Sequence, residues 1–123
     1  MPYPAAHTEL LDAIAAQGVI VSEWPPGLIA SRLRFLTRNR VIAALATATL
    51  VAEAGERSGA MATARHARSL RRLVAAVPGP ITSDLSRGPN SLIRKRQAIL
   101  ATNGGEVIDT ALSVGSAAGV QTP

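Results

Sequence analysis

Cysteine is absent from this 123-residue sequence, which excludes both a disulfide framework and a thiolate metal site. The two histidines, His7 and His66, lack the spacing of metal ligands, so we expect neither a metal nor a cofactor. No apolar run reaches the roughly 18 residues that a membrane span needs. The first residues, which include Pro2 and Pro4, lack the basic-then-apolar pattern of a signal segment. We therefore expect a cytoplasmic protein that makes no contact with a membrane.

Lysine is almost absent as well, because Lys95 is the only one among 13 basic residues and the rest are arginines. With 8 acidic residues the formal net charge is +5. The cations are grouped, since no acid lies between Glu23 and Glu53 or between Glu56 and Asp84. Arginine favours paired hydrogen bonds to phosphate, so the pattern favours a polyanionic partner. The two acid-free stretches contain Arg32, Arg34, Arg38 and Arg40, and then Arg57, Arg65, Arg68, Arg71 and Arg72.

The length and the 47% apolar content suffice for one modest core, so we expect one domain over residues 1–112. The small, polar residues 113–123 predict a flexible tail. Apolar periodicity predicts a first helix from a Thr8 cap to a stop at Gly18. Further helices are predicted from Thr37, from the Ser58 cap to about Leu70, from Pro89 or Asn90, and over 106–112. Short apolar or β-branched runs predict strands at 19–23, 49–53, 73–77 and 98–101.

Alternating strands and helices predict an α/β fold, an open and mainly parallel sheet with flanking helices. Ligands of such sheets lie beyond the carboxyl ends of the strands. Residues 22–23, 53–59 and 78–80 lie at the carboxyl ends of the predicted strands and are rich in glycine, proline and polar side chains. The sequence therefore predicts a binding site at this edge.

The segment RFLTRNR, residues 34–40, has the residue types with which proteins bind single-stranded nucleic acid. Such proteins hold the backbone in a cationic groove and stack bases on aromatic faces, and Phe35 lies among Arg32, Arg34, Arg38 and Arg40. The alternative is that Phe35 is simply a core residue. Positions 38 and 40 are about 200° apart on a helix, so we favour Arg38 for DNA and an ion pair for Arg40.

The turn ERSG, residues 56–59, offers a second anion site, because a helix start presents unpaired N–H groups and a partial positive charge. The alternative is an ordinary cap by Ser58, with Gly59 needed for close packing. Glu53 has neither a second carboxylate nor a histidine close to it in the sequence, so it is a poor acid–base catalyst. We interpret Glu53 as a residue that orients an arginine.

Five motifs together resemble the DNA processing protein A family, DprA, also called Smf. They are GVIVSEWPPG, FLTRNRVIAAL, VAEAGERSGAMATARHA, AVPGP and SRGPNSLI, in this order. The resemblance extends from Tyr3 to about Leu100 but covers only the second half of that family's Rossmann-like domain. It therefore implies a truncated domain without its N-terminal half.

The resemblance implies a non-enzymatic protein that binds single-stranded DNA, protects it during natural transformation and helps to load the recombinase RecA. Carried over to this chain, Phe35, Arg38, Asn39 and Arg40 match the family's Phe-x-x-Arg-Asn-Arg pocket motif. Ser58, Gly59 and Thr63 match its Ser-Gly-x-x-x-Thr-Ala loop. Arg34 and Glu53 are expected to support this DNA site.

A missing half would leave an apolar sheet edge uncovered. We therefore expect the chain alone to be insoluble or a homo-oligomer, or to require the missing half as a partner.

Arg71 and Arg96 stand where the resemblance leads us to expect glycine. If those glycines have positive φ, the arginines are strained by about 1 kcal/mol or more.

Two alternative functions stay open. One is an inactive fragment of such a protein. The other is an enzyme of the phosphoribohydrolase group, which is related in structure and carries a Pro-Gly-Gly-x-Gly-Thr-x-x-Glu loop. The matching place here, EAGERSGAMATA, lacks the double glycine and the closing glutamate, which disfavours the enzyme.

Overall fold

The structure, a computed structural model, describes the backbone of residues 4–118 and the side chains of residues 4–114. The chain divides into two units, Met1–Arg38 and Asn39–Pro123. Helix α2, Arg32–Leu45, contains the boundary between them.

The first unit contains a 3-10 turn, Ala5–His7, and helix α1, Thr8–Gln17. This helix was predicted, as was its stop at Gly18, whose N–H donates to the carbonyl of Ile14 at 2.8 Å. None of residues 4–38 is buried. The described part of this unit therefore has no hydrophobic core of its own.

The strand predicted at 19–23 is wrong. Val19 is 78% exposed and Val21 is 71% exposed, and no strand forms here. A β-branched run becomes a strand only when a partner accepts its backbone hydrogen bonds. In the part of the chain that the structure describes, the sheet consists of three other strands.

Helix α2 begins at Arg32, five residues before the predicted start at Thr37. Ser31 causes the earlier start, because its hydroxyl accepts from the N–H of Arg34 at 3.3 Å. Its carbonyl accepts from the N–H of Phe35 at 3.1 Å. The whole segment 34–40 is therefore helical.

The second unit is a three-stranded parallel sheet in the order β1–β2–β3, which confirms the predicted α/β, Rossmann-like class. Thr49 of β1 pairs with Val74 of β2, and Ala75 pairs with Ile99 of β3. The elements after α2 are β1 Ala48–Val51, α3 Gly59–Ser69, β2 Leu73–Ala76, α4 Arg87–Arg94, β3 Ile99–Leu100 and α5 Gly104–Ala118, with a 3-10 turn at Asp84–Ser86.

The core of this unit consists largely of small side chains, which lets the helices approach the sheet closely. Ala64 and Ala67 of α3 are completely buried, and they share one cluster with Val51, Val74 and Leu92. The 3.6-residue period of α3 directs these alanines to the sheet while Arg65 and Arg68 remain exposed.

The first residues of α4 form hydrogen bonds with the loops at the carboxyl ends of β1 and β2. Gly88 donates its N–H to the carbonyl of Ala54 at 2.9 Å. The side-chain amide of Asn90 accepts from the N–H of Gly79 at 3.1 Å and donates to the carbonyl of Gly79 at 2.9 Å. These bonds fix the loops that follow β1 and β2.

Helix α5 is longer than predicted at both ends, since Gly104–Ala118 replaces 106–112. Asn103 caps its start by accepting the N–H of Glu106 at 3.1 Å. Bonds from the N–H and hydroxyl of Thr102 lower the pKa of Glu106. Residues 113–118 are thus helical instead of belonging to the predicted tail, and residues 119–123 lie outside the described residues.

Helices α3 and α4 both end in a Schellman motif with an arginine at the left-handed position. The φ angles are 55° for Arg71 and 53° for Arg96. The N–H of Arg72 donates to the carbonyl of Ala67, and the N–H of Gln97 donates to that of Leu92, both at 2.8 Å. Both arginines therefore meet the condition for the predicted strain, which is a positive φ.

Glycine at either position should stabilise the protein. We expect Arg71→Gly and Arg96→Gly each to raise the free energy of unfolding by about 1 kcal/mol, because glycine adopts positive φ without a Cβ penalty. Urea unfolding followed by circular dichroism measures this change. A loss of stability in both variants would show that the arginine side chains hold the helix ends.

Candidate nucleic-acid interface

An open cleft of about 350 Å³ lies in the first unit. One wall is the loop over residues 22–31, which contains Pro25 and Pro26. The other wall is formed by the first turns of α2, which begins at Arg32 after the Ser31 cap. Residues 26–27 of this loop form a turn, in which Gly27 has a φ of 90°. The cleft is lined by residues 22, 24–31, 34, 35 and 38.

Two aromatic side chains in this cleft each lie beneath an arginine. The guanidinium carbon of Arg34 is 5.3 Å from the centroid of the Trp24 ring, and that of Arg38 is 5.5 Å from the centroid of Phe35. Trp24 is 43% exposed and Phe35 is 40% exposed. The alternative that Phe35 is a core residue is therefore excluded, and both rings present surface to a ligand.

Arg34 and Arg38 differ in how firmly they are held. Arg34 donates from its guanidinium to the backbone carbonyl of Ile29, which anchors it on the cleft wall. Arg38 is exposed and contacts the Phe35 ring. Of the two arginines weighed from the sequence, Arg38 thus lines the cleft with Phe35, whereas Arg40 belongs to the second unit and is exposed.

Asn39 has a different environment from the one its motif implies. It belongs to the second unit, is only 8% exposed and donates from its side-chain amide to the carbonyl of Gly59 at 3.4 Å. Thr63 donates its hydroxyl to the same carbonyl at 3.2 Å. Both side chains therefore position the first residue of α3.

Ser58 caps α3 by accepting the N–H of Met61 at 3.4 Å, as predicted. The N–H groups of Gly59 and Ala60 precede the first intrahelical bond and have no partner in the described part of the chain. A Cβ added at Gly59 would meet only the amide nitrogen of Asn39, at an ordinary 3.7 Å. Close packing therefore does not require glycine at this position.

Glu53 follows the end of β1 by two residues and is exposed. Among the residues that the structure describes, its carboxylate has no hydrogen-bond or ion-pair partner. Its predicted role in orienting an arginine stays a prediction. Within residues 4–118 there is no group of three or more acidic or histidine side chains that could hold a metal ion.

A family model described as DNA recombination-mediator protein A matches residues 1–112. The chain belongs to this family. It is 50% identical over 119 residues to a putative DNA processing protein DprA from Mycobacterium tuberculosis. That alignment covers 97% of this chain and 30% of the relative, so the chain spans less than a third of that protein's length.

Two solved DprA structures have the same fold. The DprA structure from Streptococcus pneumoniae matches with a TM-score of 0.82 and 38% identity, over 89% of this chain and 38% of that one. A Helicobacter pylori DprA structure, described as showing a single-stranded DNA binding mode, matches with a TM-score of 0.80 and 30% identity. This match covers 92% of this chain and 52% of that one.

Trp24 is a candidate site residue of this DprA-family chain that was not predicted from the sequence. A tryptophan followed by Pro25, Pro26 and Gly27 was a usable signal, because such a loop has few ways to bury a large ring.

None of the helices among residues 4–118 combines the length and apolar character needed to cross a membrane.

Proposed function

We propose that this chain binds single-stranded DNA, without catalysing a reaction, as part of DNA processing during natural transformation in the cytoplasm. The observation that carries the proposal is the cleft in which Trp24 and Phe35 are both exposed and each lies beneath an arginine. Stacking on aromatic rings together with cationic contacts to phosphates is how single strands are held without sequence preference. The H. pylori relative, whose description names single-stranded DNA, supports this choice of ligand.

We propose separately that the start of α3 binds one phosphate. The N–H groups of Gly59 and Ala60 and the positive end of the helix dipole suit an anion. Asn39 and Thr63 hold the carbonyl of Gly59, which limits movement of this backbone. A Cβ at position 59 would clash with no neighbouring atom, so packing within the protein does not explain the glycine there. Space for the close approach of a ligand to the backbone is an explanation that fits the proposed site.

Gly59→Ala should separate the ligand role from the packing role. We expect the affinity for a labelled oligothymidine, measured by fluorescence anisotropy, to fall about tenfold, which corresponds to about 1.4 kcal/mol and to one charge-assisted hydrogen bond. The free energy of unfolding should stay the same or rise by up to about 1 kcal/mol, because alanine is the better helix former.

Gly104→Ala is the matched control. Gly104 is the first residue of α5, just as Gly59 is the first residue of α3, and an added Cβ there meets nothing within 4 Å. This variant should bind like the parent. Parental affinity in Gly59→Ala would contradict the proposed phosphate site, and equal losses in both variants would make the effect unspecific.

We extend the proposal to two protein partners, RecA and a second copy of this chain. The second copy is supported by β1, which lies at one end of the sheet and carries Leu50 with 46% exposure. An open strand edge is a template for pairing. We expect sedimentation to show a dimer or larger species, and Leu50→Lys should shift it toward monomer, whereas a monodisperse parent monomer would contradict self-association.

A further inference from the structure

A second cationic surface lies at the opposite edge of the sheet from the carboxyl ends of the strands. It consists of Arg68, Arg71, Arg72, Lys95 and Arg96, which we call the amino-edge rim. Arg72 directly precedes β2, and Arg96 lies three residues before the first residue of β3. β2 and β3 are parallel neighbours with Ala75 opposite Ile99, so the residues that precede the two strands lie at the same edge of the sheet.

The charge of the rim is not balanced by acids of the second unit. Glu53, Glu56, Asp84 and Glu106 all come after the carboxyl end of a strand, and Asp109 is one turn further along α5. All five rim residues are exposed. In the described part of the chain only Arg72 has a side-chain partner, the carbonyl of Ala44 at 3.1 Å.

The backbone gives a second, independent observation. Arg71 and Arg96 have φ angles of 55° and 53°, a conformation that favours glycine. Cations near a helix end do interact favourably with the dipole, but Arg68 and Arg94 already provide this in the last turns of α3 and α4. The strained positions therefore carry charge that the two helices do not need.

We propose that the amino-edge rim binds the phosphate backbone of nucleic acid. Guanidinium groups match phosphate with two parallel hydrogen bonds. The chain has only three aromatic residues, Tyr3, Trp24 and Phe35, and none lies in residues 39–123. A surface of cations without stacking rings contacts phosphates and reads no bases, so it accepts a duplex as well as a single strand. This inference goes beyond the single-strand function and does not depend on it.

The test compares charge with strain at the two positions. Parent, Arg71→Gly/Arg96→Gly and Arg71→Lys/Arg96→Lys chains are titrated against a labelled 20-base-pair duplex at several salt concentrations. Each phosphate contact contributes about 0.9 to the slope of log affinity against log salt on duplex DNA. The double glycine variant should therefore lose about 1.8 of this slope, and the double lysine variant should keep it.

Two further variants and one further probe complete the design. Arg65→Ala removes one exposed charge from the middle of α3, and Leu36→Ala shortens an apolar side chain that does not line the cleft; both should leave the duplex slope close to that of the parent. An unchanged slope in the double glycine variant, or an equal loss per charge in Arg65→Ala, would overturn the proposal. So would loss of binding to phosphatidylserine vesicles in the double glycine variant while its duplex binding stays at the parental level.

Discussion

Replacing Phe35 with alanine will weaken binding of oligothymidine by about 1–3 kcal/mol, the usual value of one base stacked on an aromatic ring. The ring is 40% exposed in the cleft and also supports the guanidinium of Arg38. The slope of log affinity against log salt should not change, because a stacked base releases no counterions. Fluorescence anisotropy at several salt concentrations measures both quantities.

Two neighbours on helix α2 provide the controls. Leu36 is apolar and 38% exposed but does not line the cleft, so Leu36→Ala should bind like the parent. Arg38→Ala should flatten the salt slope by about 0.7, which is one phosphate on a single strand, whereas Arg32→Ala, outside the cleft, should change it less. Equal losses in Phe35→Ala and Leu36→Ala would show that helix α2, and not the ring, is what matters.

Replacing Gly88 with alanine will destabilise the second unit by about 2–3 kcal/mol, because the new methyl group has no room. A Cβ at Gly88 would lie 2.5 Å from the carbonyl oxygen of Ala54 and 2.9 Å from the sulfur of Met61. The oxygen belongs to the backbone and already accepts the N–H of Gly88, so it cannot move aside cheaply. The melting temperature should fall by about 10 °C in calorimetry.

Gly55→Ala is the matched control for this effect. Gly55 lies in the loop that Gly88 contacts, yet a Cβ at position 55 meets nothing within 4 Å. Its unfolding free energy should stay within about 0.5 kcal/mol of the parental value. Parental stability in Gly88→Ala would mean that α4 does not pack on the Ala54 loop as closely as the structure shows.

The sheet and its helices could largely be predicted because they depend on local patterns. The apolar runs that became β1, β2 and β3 are short, and each is bounded by glycine, proline or a helix pattern. The strand expected at 19–23 has the same local pattern but failed, because strand formation depends on a partner that the pattern does not reveal.

The candidate site was less predictable than the fold. The helical period separated Arg38 from Arg40, and the structure places Arg38 in the lining of the cleft, while its role in DNA binding stays a prediction. The inward direction of Asn39 could not be derived, since its burial depends on Gly59, twenty residues further along the chain. Left-handed conformations at Arg71 and Arg96 were stated from the sequence only as a condition, because the family resemblance leads us to expect glycine there and positive φ is common just past a helix end.

Trp24 provides the most direct test of the account, because it is the only tryptophan and lies in the cleft. Its intrinsic fluorescence reports on the cleft without any label. Titration with oligothymidine should quench this fluorescence saturably, with the same midpoint as binding measured by anisotropy, and Phe35→Ala should move both midpoints together. Binding by anisotropy with unchanged Trp24 fluorescence would place the DNA elsewhere and contradict the account.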